Sequence, residues 1–96
     1  MPDAPDPARL SATVRGRVQG VGFRYFTRVR AERLGLVGFV RNEPDGTVTV
    51  VAEGNRPNLE GLLDALRSGP SAAVVQDVEA EWSDARGTFD GFGVAR

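Results

Sequence analysis

The sequence contains no cysteine and no histidine. Without cysteine there are no disulfides, no thiolate nucleophile and no thiolate metal site. Without histidine the commonest general base and the commonest zinc ligand are missing as well. Lysine is also absent, so all twelve basic residues are arginine; we read this as a compositional bias and not as a functional signal. No apolar run approaches the ~18 residues of a membrane helix. The first residues lack the apolar core of a signal peptide, so a cytoplasmic protein is expected. Any chemistry must therefore run on Arg, Asp, Glu, Asn, Gln, Ser, Thr, Tyr or backbone amides.

What is present fits one small domain. The chain has 96 residues, 41% hydrophobic and 26% charged, which is ordinary for a globular protein. The net charge of −1 hides an asymmetry. Residues 15–41 carry Arg15, Arg17, Arg24, Arg28, Arg30, Arg33 and Arg41 against Glu32 alone, whereas residues 42–96 carry ten acids against four arginines. The basic block either steers an anion or forms a solvated helix face.

Along the chain, residues 1–9 hold three prolines and no apolar periodicity. They are expected to be a disordered tail ahead of a domain over 10–96. Leu10 to Val18 alternate apolar and polar, which predicts a strand. A helix is expected from about Phe23 to Leu34, with Phe23, Phe26, Val29 and Leu34 inward and Gly35 ending it. Residues 36–42 and 47–53 read as a hairpin around Pro44-Asp45-Gly46. Asn55 and Pro57 open a second helix whose Leu59, Leu62, Leu63 and Leu66 form an apolar stripe, closed by Gly69-Pro70. Residues 74–82 read as a fourth strand with Val74, Val78, Ala80 and Trp82 on one face. Residues 84–91 form a loop, and Phe92 to Arg96 a short closing strand. The order β-α-β-β-α-β predicts an α+β, ferredoxin-like sandwich: a mostly antiparallel sheet with two helices on one face and its first and third strands central.

The stretch from Gly16 to Arg24 lies between the first strand and the first helix. It holds glycines at 16, 20 and 22 and ends on an arginine. A strand, a glycine-rich turn and a helix N-terminus together cradle anions, because the first helical N–H groups lack partners and the helix dipole adds positive charge. Arg24 supplies a planar, permanently charged fork suited to phosphate or carboxylate. A tight turn that merely needs glycine explains the same spacing, and GxGxxG and GxxxxGK[ST] are absent, so neither ATP nor NAD is indicated. Asn42 reads either as a turn-initiating residue or as a neutral amide that holds a water beside a bound anion. Spacing alone does not bring it to Arg24.

Two segments then carry a resemblance. Gly16-Arg17-Val18-Gln19-Gly20-Val21-Gly22-Phe23-Arg24 resembles the first signature of the acylphosphatases. Gly38-Phe39-Val40-Arg41-Asn42-Glu43-Pro44-Asp45-Gly46-Thr47-Val48 resembles their second, and Phe92-Gly93-Val94 is similar to their terminal strand. The resemblance covers residues 10–96. It implies an enzyme without metal or cofactor that hydrolyses the carboxyl-phosphate bond of acyl phosphates. It assigns phosphate binding to Arg24 and to the backbone of Gln19, Gly20, Val21, Gly22 and Phe23, and orientation of the attacking water to Asn42. Two departures stand out: Gly22 where some members carry cysteine or another small residue, and Glu43 where Thr or Ser is frequent. A carboxylate at 43 weakens anion binding if it points inward.

The residues agree with that chemistry. A carboxylate leaving group is a weak base and needs no general acid, and no Cys or His is present to form a phosphoenzyme, so direct attack by water is the economical route. Positioning plus fixed N–H and guanidinium donors supply most of phosphoryl-transfer catalysis. The expected partner is a small-molecule acyl phosphate, with no nucleic acid and no membrane, and the expected state is a monomer. The competing reading is a non-catalytic phosphate- or anion-binding regulatory module that kept the cradle. Asp77, Glu79 and Glu81 read as a solvated strand face and not as a cation site. Tyr25 and Trp82 lack the aromatic pattern of an RNA-binding sheet, and Trp82, Phe23 and Phe26 read as packing residues.

Overall fold

A computed structural model describes residues 7–96. The elements run β1 (Ala8–Arg17), α1 (Phe23–Arg33), β2 (Val37–Asn42), β3 (Val48–Gly54), α2 (Arg56–Ser68), β4 (Val74–Asp84) and β5 (Phe92–Ala95). The five strands form one sheet in the order β4-β1-β3-β2-β5. All pairings are antiparallel except β2 with β5, which is parallel. This is the expected ferredoxin-like α+β arrangement, with β1 and β3 inside the sheet. Of the tail expected over residues 1–9, residues 1–6 lie outside the described residues. Ala8 and Arg9 are already paired with Gly54 and Glu53, so the first strand starts two residues earlier than the alternation suggested.

One face of the sheet meets both helices. Leu10, Ala12 and Val14 of β1 pair with Ala52, Val50 and Val48 of β3, and all six are buried in a core shared with Leu59, Leu62 and Leu66 of α2. Those three leucines are fully buried, and truncating any one to alanine costs about 2–5 kcal/mol on general grounds. The start of α2 is capped as expected: Asn55 Oδ1 accepts from the Asn58 N–H at 2.9 Å. At the end of α1 the Leu36 N–H returns to the Ala31 carbonyl, with Gly35 at φ 70°. That closes the helix in the left-handed conformation glycine favours.

Two faces differ from the sequence expectation. In α1 the buried residues are Phe23, Thr27 and Ala31, with Phe26 and Val29 only half-buried. The inward stripe is thus narrower and smaller than the Phe/Val/Leu arc. Ala31 lets the helix approach the sheet, and the Thr27 hydroxyl is satisfied by the Phe23 carbonyl at 2.9 Å. In β4 it is Val75, not Val74, that packs on the core with Val78, Ala80 and Trp82; Val74 is 56% exposed. The register shifts between Arg15 and Gly16, which pair with Asp77 and Val75 and leave Gln76 as an extra residue. A bulge reverses the alternation on one side of itself. Gly16, at φ 129°, is what admits it: a Cβ there meets the Val74 carbonyl oxygen and lies 2.8 Å from the Gln76 N. The first glycine of the 16–24 stretch therefore serves strand packing and not the anion cradle.

Candidate active site

Strand direction assembles the site. β1 and β2 are each antiparallel to β3, and β5 is parallel to β2. The C-terminal ends of β1, β2 and β5 therefore emerge at the same end of the sheet. Two strand spacings, about 10 Å, separate β1 from β2. The loop after β1 has to lean across the N-terminal end of β3 to meet Asn42, the last residue of β2.

That loop is pinned at both ends by burial. Val18 is 1% exposed and Phe23, the first helical residue, 2%. Between them the backbone turns through Gly20 at φ 74° and Gly22 at φ 79°. Gly22 is the N-cap of α1 and brings no capping side chain. The first bond closing the helix runs from the Phe26 N–H to the Gly22 carbonyl at 3.0 Å. Ahead of it, the N–H groups of Phe23, Arg24 and Tyr25 have no backbone acceptor among the described residues. They are the unpartnered donors of a helix start, and they lie on the positive end of its dipole.

A cavity of about 470 Å³ opens at this end of the sheet. Of the residues expected from the sequence, Gly20, Gly22, Phe23, Arg24 and Asn42 line it. Arg24 and Asn42, 18 positions apart in the chain, thus share one space. Arg24 enters no ion pair among the described residues. The Asn42 Oδ1 is buried and accepts no hydrogen bond from the described residues, and a buried acceptor left in that state costs free energy until something donates to it.

Two expected residues are not in the lining. Val21 packs against the core. Gln19 turns its side chain to the β2–β3 turn, where Nε2 donates to the Glu43 carbonyl at 2.8 Å and the Thr47 carbonyl at 2.9 Å. It ties the loop after β1 to the turn that follows Asn42. Within that turn, Asp45 Oδ1 accepts from the Thr47 N–H at 3.0 Å and from its hydroxyl at 2.7 Å. Those bonds hold the Asp45 carboxyl below its usual range.

Glu43 is likewise outside the cavity lining. Its carboxylate accepts from Arg41 Nε at 2.9 Å, and hydrogen bonds from Thr49 first and Arg41 second pull its pKa down. The carboxylate is thereby engaged on β2 and β3, which removes the concern that it opposes an anion. Sequence reasoning did not place four other lining residues: Val18, Tyr25, Val94 and Arg96. Tyr25 is 70% exposed beside Arg24. Val94 and Arg96 come from the β5 end, and their signal lay in the parallel pairing of β5 with β2, which the linear pattern does not display.

Among the described residues no helix is long and apolar enough to cross a membrane, and no group of three or more Asp and Glu side chains is placed to hold a metal ion.

Known proteins share this arrangement. The profile of the family described as Acylphosphatase matches residues 10–94. The chain is 54% identical over 88 residues to an acylphosphatase of Salinibacter ruber, covering 92% of this chain and 93% of that protein. It is 55% identical over 87 residues to an acylphosphatase of Mycolicibacterium smegmatis, covering 91% and 89%. The crystal structure of acylphosphatase from Bacillus subtilis superposes with a TM-score of 0.90 at 34% identity, over 93% of this chain and 99% of that one. The family profile, the sequence identities and the coverage of both chains agree, and the chain belongs to the acylphosphatase family.

Proposed function

We propose that hydrolysis of the carboxyl-phosphate bond, the reaction of this hydrolase family, takes place in the cavity at the ends of β1, β2 and β5. The phosphoryl group of the substrate binds the backbone N–H groups of the loop and helix start together with the Arg24 guanidinium. The Asn42 Oδ1 accepts a hydrogen bond from a water and turns its lone pair toward phosphorus. The observation that carries this reading is the buried Asn42 Oδ1 in the same cavity as Arg24, the one without a hydrogen-bond partner and the other without an ion-pair partner among the described residues.

The chemistry balances without a protein acid or base. The water oxygen forms a bond to phosphorus while the bond from phosphorus to the acyl oxygen breaks. The electron pair leaves with a carboxylate, which is stable unprotonated. A proton of the water passes to a phosphate oxygen, since Asn42 is no base at neutral pH. In the loose transition state the charge spreads over the equatorial oxygens, where fixed N–H and guanidinium donors act with little reorganisation. Gln19 acts at one remove, by holding the loop against the turn that carries Asn42. We take the protein to act as a monomer in the cytoplasm on a small-molecule acyl phosphate.

Colorimetric assay with benzoyl phosphate tests the reading. Wild type turns it over. Arg24→Ala lowers turnover by at least ~100-fold, the scale for one preorganised electrostatic donor. Asn42→Ala lowers the rate while inhibition by inorganic phosphate stays nearly intact. Near-normal turnover in either variant refutes the assignment. Phosphate binding by wild type without turnover makes the domain an anion-binding module instead.

A further inference from the structure

We propose that Arg96 is a second phosphate-binding guanidinium, meeting the phosphoryl group in the cavity it lines together with Arg24 and Asn42. The proposal rests on the hydrolytic reading above and adds a residue to it.

Placement comes from the sheet. β5 pairs in parallel with β2, Val40 opposite Val94 and Arg41 opposite Ala95. Carrying that register one residue further sets Arg96 beside Asn42. Strand alternation puts Phe92 and Val94 on one face of β5 and Val40 and Asn42 on the matching face of β2, and Arg96, the residue just past β5, follows in the same alternation. Val40 is fully buried and Phe92 nearly so, so this is the face that the helices cover. Arg96 and Asn42 thus enter the cavity from neighbouring strands on the same side, and both line it. Among the described residues Arg96 is in no ion pair and no acidic side chain lines the cavity.

Charge gives the reason for a second cation. A phosphoryl group carries roughly two negative charges at neutral pH. Arg24 offers one positive charge and the start of α1 about half of one. A second guanidinium more than covers the remaining half charge and brings further donors for the equatorial oxygens.

Reaction geometry decides which part of the substrate Arg96 meets. In-line displacement sets the departing acyl group opposite the attacking water. Asn42 holds that water, so a residue beside Asn42 lies on the water's side of phosphorus. Arg96 therefore contacts phosphate oxygens, and the acyl group leaves away from it.

The test compares wild type with Arg96→Gln and Arg96→Lys in the full chain. The readouts are the constant for competitive inhibition by inorganic phosphate and KM for acetyl and succinyl phosphate. The expected result for Arg96→Gln is a rise of about tenfold or more in the phosphate inhibition constant, the scale of one charged hydrogen bond. KM should rise in step for both substrates, the melting temperature should hold, and Arg96→Lys should recover part of the loss. An unchanged phosphate constant in Arg96→Gln, with wild type active, overturns the proposal and leaves the hydrolytic reading standing. A KM change confined to succinyl phosphate also overturns it, since Arg96 then reads the acyl group. If wild type neither hydrolyses acyl phosphates nor binds phosphate, both fall together.

Discussion

Glu53→Ala is the substitution we expect to damage this fold most among its charged residues. Glu53 lies on β3 and is 3% exposed. Its carboxylate accepts from Arg9 Nε at 2.7 Å, from the Arg86 N–H at 3.0 Å and from the Gly87 N–H at 3.1 Å. It clamps the β4–β5 loop onto the sheet. Removing one member of a buried ion pair costs about 3–5 kcal/mol, because the other charge stays behind unpaired. Arg9 keeps the Phe89 ring 5.2 Å from its guanidinium carbon, so we take the lower end, about 3 kcal/mol. A domain of this size is worth only about 5–14 kcal/mol in total, at 0.05–0.15 kcal/mol per residue. At 4–8 °C per kcal/mol, the melting temperature at pH 7 falls by about 12–24 °C. Far-UV circular dichroism on heating reads this directly.

The same residue sets a pH dependence. Burial alone pushes the Glu53 carboxyl up, but the Arg86 N–H, the Arg9 guanidinium and the Gly87 N–H outweigh it and hold it below its ordinary 4.5. The folded protein thus binds this proton more weakly than the unfolded chain. The stability it contributes is complete above about pH 4.5 and is lost as pH falls toward the folded pKa. Glu53→Gln, which keeps one acceptor oxygen but no charge, should melt between wild type and Glu53→Ala at pH 7. Its gap from wild type should shrink below about pH 4.5. A Glu53→Ala melting temperature within ~4 °C of wild type, or a gap that does not change with pH, refutes the reasoning. Arg15 with Asp77 and Glu79 is the control: that cluster is exposed on β1 and β4, and deleting either acid should leave the midpoint nearly where it was.

Gln19→Ala removes both bonds to the turn carbonyls and should lower kcat about tenfold or more through misplacement of Asn42. The phosphate inhibition constant should barely move, and an unchanged kcat means that the brace does not hold the two halves together. Treatment with EDTA followed by desalting should leave benzoyl phosphate hydrolysis intact. Activity lost to the chelator and restored by added metal defeats the metal-free mechanism.

Much of this architecture was legible because local signals agreed with the fold. The leucines at 59, 62, 63 and 66, the Asn55 cap, Gly35 and the Asp45-Gly46 turn each act within a few residues. Their positions follow from short-range rules. Arg24 and Asn42 were legible as a pair only through the two signatures, since their meeting depends on β1 and β2 running the same way. The features that escaped are non-local. The face switch from Val74 to Val75 needs a bulge created where Gly16 meets β4. The small inward stripe of Phe23, Thr27 and Ala31 reflects how closely α1 rides on the sheet, whereas periodicity weights the larger Phe26 and Val29. Nothing near Glu53 in sequence announces that Arg9 and residues 86–87 converge on it. Arg96 lines the cavity because β5 lies beside β2, a pairing of distant segments.

The position of β5 has a consequence for how activity is lost. It is a four-residue strand at the edge of the sheet, bonded to β2 on one side. The loop leading into it is held by Glu53. Short edge elements open first in native-state fluctuations, well below the free energy of global unfolding. One wall of the cavity is therefore expected to detach while β1, β3 and both helices are still packed. Mild denaturation should then silence the enzyme before its secondary structure melts, so that catalysis reports on the closure of one edge rather than on the folded population as a whole.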